Sequence, residues 1–150
     1  MSREEMGQDK SFKSGFVGKQ HENPGGLSPV TLAFVGDSVF ELMVRERLVR
    51  QGGMPSGKLH SMAVERVRAT AQALAYNGVL AACTEPERDI LRRGRNVSLS
   101  RMPKSCTPQE YHRATAIEAL LGYLYLGGEQ ARLEDVFALI EEEIARGQNP

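Results

Sequence analysis

The sequence predicts an all-α fold, a helical bundle of about five main helices, on three observations. Apolar residues recur at three- and four-residue steps along its segments, Ser-Pro and Thr-Pro pairs stand where helices would begin, and no stretch alternates like a half-buried strand. With 150 residues the chain suits one domain around a single core. Hydrophobic residues at 41% and charged residues at 25% lie near globular averages, which excludes wholesale disorder and fibrous structure.

The elements follow in order. Residues 1–26 are polar and end in HENPGG, so they predict a flexible tail ahead of one domain over 27–150. Ser28-Pro29 supplies an N-cap hydroxyl and a proline whose missing N–H costs nothing there. The first helix then runs to about Arg50 and stops at Gly52-Gly53. Ser56 is the expected N-cap of a second helix, in which Leu59, Met62, Ala63, Val67, Thr70 and Leu74 recur on one face until Asn77-Gly78 ends it. A third opens at Thr84, with Glu87 completing a capping box. Gly94 to Pro108 has prolines, serines and no periodicity, and predicts a loop. Thr107-Pro108 starts the fourth helix, closed by Gly127-Gly128, and Leu133, Val136, Phe137, Ile140 and Ile144 place a stripe on the fifth.

Nineteen basic and nineteen acidic residues cancel, so any electrostatic footprint is local. From Arg92 to Arg113 six basic residues face one acidic residue, a net of +5; from Glu129 to Arg146 six acids face two arginines, a net of −4. No run is long and apolar enough to span a bilayer, and the polar start is no secretory signal, so the expected compartment is the cytoplasm. Cys83 and Cys106, without a CxxC spacing, are expected to be structural or incidental thiols.

Two helices share an oddity. In LAFVGDSVFE, Gly36 and Asp37 interrupt an apolar stripe; in ATAIEALLGYLYL, Glu118 and Gly122 do the same. A buried carboxylate without partners is costly, so each must pair with a cation, hold a metal or reach solvent. If the two helices pack together, Asp37 and Glu118 converge on a hard cation such as Mg²⁺, with the small residues leaving room for a hydrated ion and a phosphate. The bland alternative makes both carboxylates ordinary salt-bridge partners of arginines such as Arg113. The basic loop suits a phosphate backbone, with Arg92, Arg93, Arg95, Asn96, Arg101 and Lys104 as candidate phosphate contacts and His60 as a further one. Aromatic residues do not interleave with these charges, which favours duplex shape over base stacking. No zinc spacing around His21, His60 or His112, no Walker loop and no GxSxG occurs.

Taken in order, LAFVGDSVFE, LRRGRN with PK after it, and ATAIEALLGYLYL resemble the ribonuclease III family, and most closely its short bacterial branch, Mini-ribonuclease III, over residues 27–146. The resemblance implies a homodimeric, all-helical endonuclease domain with no double-stranded-RNA-binding domain. It implies Asp37 and Glu118 as the catalytic and metal-binding acids, and Mg²⁺ as cofactor, with Mn²⁺ able to substitute. It further implies duplex or structured RNA as substrate, with one strand cut per site, and maturation of the large-subunit (23S) ribosomal RNA precursor in the cytoplasm. The longer enzymes carry acids where this chain has Val30, Ala33 and Thr115. Glu41 is expected either near the site or in a surface pair with Arg45. The rival readings are a ribosome-associated RNA-binding scaffold without chemistry and a helical protein-interaction domain.

Overall fold

In the computed structural model, which describes residues 20–98 and 104–148, Ser28 caps the first helix as its position predicts. The Thr31 N–H donates to the Ser28 hydroxyl at 3.1 Å. Helix α1 spans Pro29–Gln51 and ends at Gly52 and Gly53, both with φ of 73°, where a side chain would be strained. There follow α2 (Ser56–Val67), α3 (Ala69–Leu74), α4 (Tyr76–Ala82), α5 (Glu85–Arg95), α6 (Pro108–Leu126) and α7 (Gln130–Gln148), with a 3-10 turn at Pro24–Gly26 ahead of α1. Among the described residues there is no strand.

Capping boxes start α5 and α6. At Thr84 and again at Thr107 the hydroxyl accepts from the N–H three residues on, and the glutamate there, Glu87 or Glu110, accepts from the threonine N–H at 2.9 Å. Glu87 has a second task. Buried at 5% exposure, its carboxylate accepts two hydrogen bonds from Arg132 at 2.8 and 2.9 Å, and the same guanidinium donates to the Ala82 carbonyl at 2.9 Å. This fork ties α7 to the α4–α5 junction and holds the Glu87 carboxyl below the usual glutamate range. Burial, with Glu87 beside it, pushes the nearby Cys83 thiol up to about 11, which keeps it protonated and unreactive at neutral pH.

Helix α6 is the centre of the fold. Ala114 to Ile117, Ala119 to Gly122 and Leu124 are all buried, so apolar residues cover nearly its whole circumference. It packs against α1, α3, α4, α5 and α7. Phe40 of α1 meets Phe137 of α7 edge to face, with centroids 5.9 Å apart, so the core closes between the first and last helices.

The predicted second helix is three helices. Ser56 is the first helical residue rather than a side-chain cap, and the residue before it, Pro55, caps with backbone alone. The chain then breaks at Arg68, which is extended at φ −65° and ψ 147°, and turns again at Ala75. Asn77-Gly78 does not end a helix but lies inside α4, where Gly78 lets the Glu143 side chain approach. Periodicity persists across both breaks because all three pieces bury apolar residues in the same core. The predicted tail also ends earlier, since the Pro24–Gly26 turn docks by way of Arg93, which donates to the Gly25 and Leu27 carbonyls at 2.9 and 3.0 Å. Residues 1–19 of that tail lie outside the described residues.

Helices α1 and α6 cross at backbone contact. A methyl group on Gly36 would lie 1.6 Å from the Glu118 carbonyl oxygen, and one on Gly122 would lie 2.0 Å from the Leu32 carbonyl oxygen. Gly57, by contrast, has open space around it. Gly36→Ala should therefore destabilise the protein by ~3 kcal/mol or more, whereas Gly57→Ala, at an exposed helical position, should be neutral or stabilising by up to ~1 kcal/mol. Urea unfolding of the two variants beside the parent measures the contrast.

Candidate active site between α1 and α6

The glycine contact positions the acids. Gly36 sits against the backbone of Glu118, and Asp37 is the next residue, so the crossing brings one carboxylate of α1 and one of α6 together. The Asp37 residue is exposed at the surface; Glu118 is only partly accessible and its carboxyl is sunk beside Asp37. Burial, reinforced by the hydrogen bond and charge of Asp37, pushes the Glu118 carboxyl up to about 9. Burial beside an aspartate thus favours the protonated form of Glu118 when no cation is bound.

The sequence explained both glycines as room for an ion and a phosphate. Their role is different: each is consumed by a backbone of the opposite helix, and the acids converge because of that contact. The bland alternative also fails for Arg113, which lies over the Tyr76 ring at 5.6 Å. Among the described residues no ion pair joins an arginine to Asp37 or Glu118. Glu41 is paired with Arg45 on the surface at 3.0 Å, the second of its two expected roles.

One residue at the site escaped the sequence reading. Gln72 of α3 is 2% exposed, and its side-chain amide reaches the Glu118 carboxyl, favouring its charged form. Its Nε2 also donates to the Val67 carbonyl at 2.9 Å, while its Oε1 is buried without a partner. A lone glutamine in an alanine-rich helical stretch carries no signal; only the break at Arg68 aims it at the site.

The remaining candidates are spread out. Arg92 is exposed, 4.0 Å from Asp89. Arg93 spends its guanidinium on the Gly25 and Leu27 carbonyls, which removes two of its donors from solvent. Arg95 lies over the Tyr76 ring at 5.8 Å. Asn96 is exposed as the C-cap of α5, and Lys104 is exposed in the turn ahead of α6. Arg101 lies outside the described residues. His60 is exposed on α2, in a groove with Arg45, Ser56 and Leu59 that includes neither acid.

Comparison with known proteins decides the family. The family model for the ribonuclease III domain matches residues 30–129. Mini-ribonuclease 3 of Symbiobacterium thermophilum is 46% identical over 84% of this chain and 97% of that protein, and Mini-ribonuclease 3 of Thermoanaerobacter sp. is 45% identical over 75% and 80%. The chain belongs to the ribonuclease III family, in its Mini-ribonuclease III branch. The crystal structure of protein FN1578 from Fusobacterium nucleatum superposes with a TM-score of 0.72 at 29% identity, covering 81% of this chain and 98% of that one. The fold of this Mini-ribonuclease III is therefore shared with a solved structure, and the model match spans both helices that carry its acids.

The donor set fits a hard divalent cation. Two carboxyl groups converge, and among the described residues no ion pair joins a cation to either of them. Among the described residues no third histidine, cysteine or acid joins them, so the protein contributes few ligands, as Mg²⁺ tolerates.

The electrostatic strain at Glu118 has a measurable sign. A carboxyl raised in the folded state binds more protons there than in the unfolded chain, so stability falls as pH rises from about 4.5 towards 9. In chelator-treated protein Glu118→Gln should raise Tm by about 3–8 °C at pH 8, with the gain shrinking towards pH 4.5. Calorimetry at the two pH values checks it.

Proposed function

We propose that the chain is a divalent-metal-dependent endoribonuclease that cuts duplex or structured RNA, with the precursor of large-subunit ribosomal RNA as its substrate, acting in the cytoplasm as a homodimer. Family membership makes it an endoribonuclease; the observation that carries the site assignment is the convergence of Asp37 and Glu118 at the α1–α6 crossing. The substrate rests on the resemblance to the Mini branch and on the basic region leading into α6. No helix among the described residues is long and apolar enough to cross a membrane.

Asp37 and Glu118 would hold Mg²⁺ or Mn²⁺, which when bound supplies an acidified water and offsets charge building on the phosphate. Hydrolysis adds the hydroxyl of water to phosphorus, breaks one phosphorus–oxygen bond and sends a proton to the departing oxygen. The exposed position of Asp37 makes it the acid that meets the RNA backbone and the attacking water. The sunken position of Glu118 keeps its carboxyl in one place and costs its charged form heavily unless a cation balances it.

The homodimer is supported by an apolar stripe on α1. Phe34 is 80% exposed and Leu42 64%, each one turn from Ser38 on either side, and Val39, Met43, Tyr125 and Leu133 continue the surface beside them. This surface is adjacent to Asp37, so a second copy would border the site.

Asp37→Asn should keep the fold and RNA binding and lower single-turnover cleavage of a long RNA duplex in Mg²⁺ by at least about 10²-fold. Normal cutting by that variant would sink the assignment. Phe34→Asp should convert the dimer to a monomer in light scattering; a parental that is already monomeric would refute the assembly.

A further inference from the structure

Resting on the reading of the chain as a duplex-RNA endonuclease, we infer that Arg95 and Arg113 form a binding site for the RNA phosphate backbone, with the buried ring of Tyr76 as the platform that positions both guanidiniums. Arg95 is the last residue of α5 and Arg113 stands in the second turn of α6, so they flank the basic region between those helices. Tyr76 opens α4 and is 2% exposed. The Arg95 guanidinium carbon lies over this ring at 5.8 Å from its centroid, and that of Arg113 at 5.6 Å. Both are close enough to feel the negative face of the ring.

Cohesion of the fold does not explain the pair. Arg92 and Arg93, in the same turn of α5 as Arg95, lie 4.0 and 3.9 Å from Asp89, and Arg66 and Arg132 reach across to carboxylates of other helices. Among the described residues neither Arg95 nor Arg113 joins an ion pair, and the Arg113 Nε is buried without a hydrogen-bond partner. A cation in the last turn of α5 suits the carbonyls there, which accounts for Arg95. It does not account for Arg113, which stands towards the end of α6 that favours acids. Two cations drawn to one ring also repel each other, a cost that an anion set against both would reverse.

The chemistry of the pair selects phosphate. Two guanidiniums offer planar forks of N–H donors that match phosphate oxygens, and stacking on a ring fixes the plane of each fork before the ligand arrives. The ring itself is buried, so it presents no face to a base, and the site reads backbone and not sequence. Its place suits a substrate strand that continues to the acids. Arg113 and Glu118 share α6, five residues or about 7.5 Å apart along its axis, so the arginines meet a phosphate other than the one being cut. Arg92, Asn96 and Lys104, all exposed, extend the same polar surface around them.

A fluorescent RNA duplex tests the site twice, by anisotropy without divalent metal over a range of KCl and by steady-state cleavage in Mg²⁺. Arg95→Gln and Arg113→Gln should each flatten the slope of log affinity against log salt by about 0.9 and raise KM about 3–10-fold, with kcat within about threefold. Tyr76→Phe keeps the ring and should match the parent, whereas Tyr76→Leu removes no charge yet should raise KM by about the same factor. If Tyr76→Leu melts, Arg113→Lys takes its place: it keeps the charge, gives up the flat stacking, and should raise KM on an unchanged salt slope. Parental slopes and KM in both glutamine variants overturn the phosphate site. A parental KM in Tyr76→Leu, or in Arg113→Lys where that replaces it, overturns the platform. A parent that neither binds nor cuts the duplex overturns the endonuclease reading beneath them.

Discussion

The structure depends on two helices touching through their backbones. At Gly36 the hydrogen that replaces a side chain points at the Glu118 carbonyl oxygen, and at Gly122 the other points at the Leu32 carbonyl oxygen. The pair is reciprocal: residues 32 and 36 of α1 meet 122 and 118 of α6, so the helices pass in opposite senses with both glycines on the contact line. Such Cα–H···O approaches at helix crossings are individually weak. Their importance here is geometric, because a separation set by backbone cannot be relaxed by a rotamer change. Asp37 and Glu118 inherit that rigidity. One follows the contacting glycine and the other is the contacted residue.

Around this crossing the fold spends its strongest side-chain interactions on holding secondary elements, not on the acids. Arg132 locks α7 to Glu87 and Ala82; Arg93 locks the turn before α1; Arg66 of α2 pairs with Glu141 of α7 at 2.7 Å. Arg113 stacks on Tyr76. None of these cations pairs with Asp37 or Glu118. Among the described residues the two acids meet no compensating cation, and a bound ion rather than a structural ion pair would have to balance them there.

The sequence disclosed most of the architecture because its punctuation is chemically explicit. Ser28-Pro29, Thr84 with Glu87, Thr107-Pro108 and the paired glycines at 52–53 and 127–128 each mark an end that the structure has. The breaks at Arg68 and Ala75 have no such mark. Neither residue is a glycine or proline, and the flanking alanines favour helix; the breaks arise from packing three short helices around α6, a tertiary effect that local propensity does not encode. The two acids were legible because a carboxylate in an apolar run violates a local rule. Gln72 broke no rule where it stands in the sequence. Of the basic residues, composition revealed the cluster but not its division of labour: Arg93 is bound to carbonyls of its own chain while Arg92 and Lys104 stay exposed.

That asymmetry follows from what each kind of residue pays for its position. Glu118 is held where its charge is disfavoured, and the cost is visible in the folded chain as a carboxyl pushed far above its ordinary range. A residue selected for stability at that depth on α6 would be apolar, like its neighbours Ala116, Ile117, Ala119, Leu120 and Leu121. A divalent cation at the proposed site would reverse the balance: it would stabilise the ionised acid, displace its proton and turn a destabilising group into a ligand. The exposed acid, Asp37, carries no such burden, because water already solvates it. The two acids are thus unequal by construction: a sunken one whose charge the fold disfavours, and an open one that water solvates.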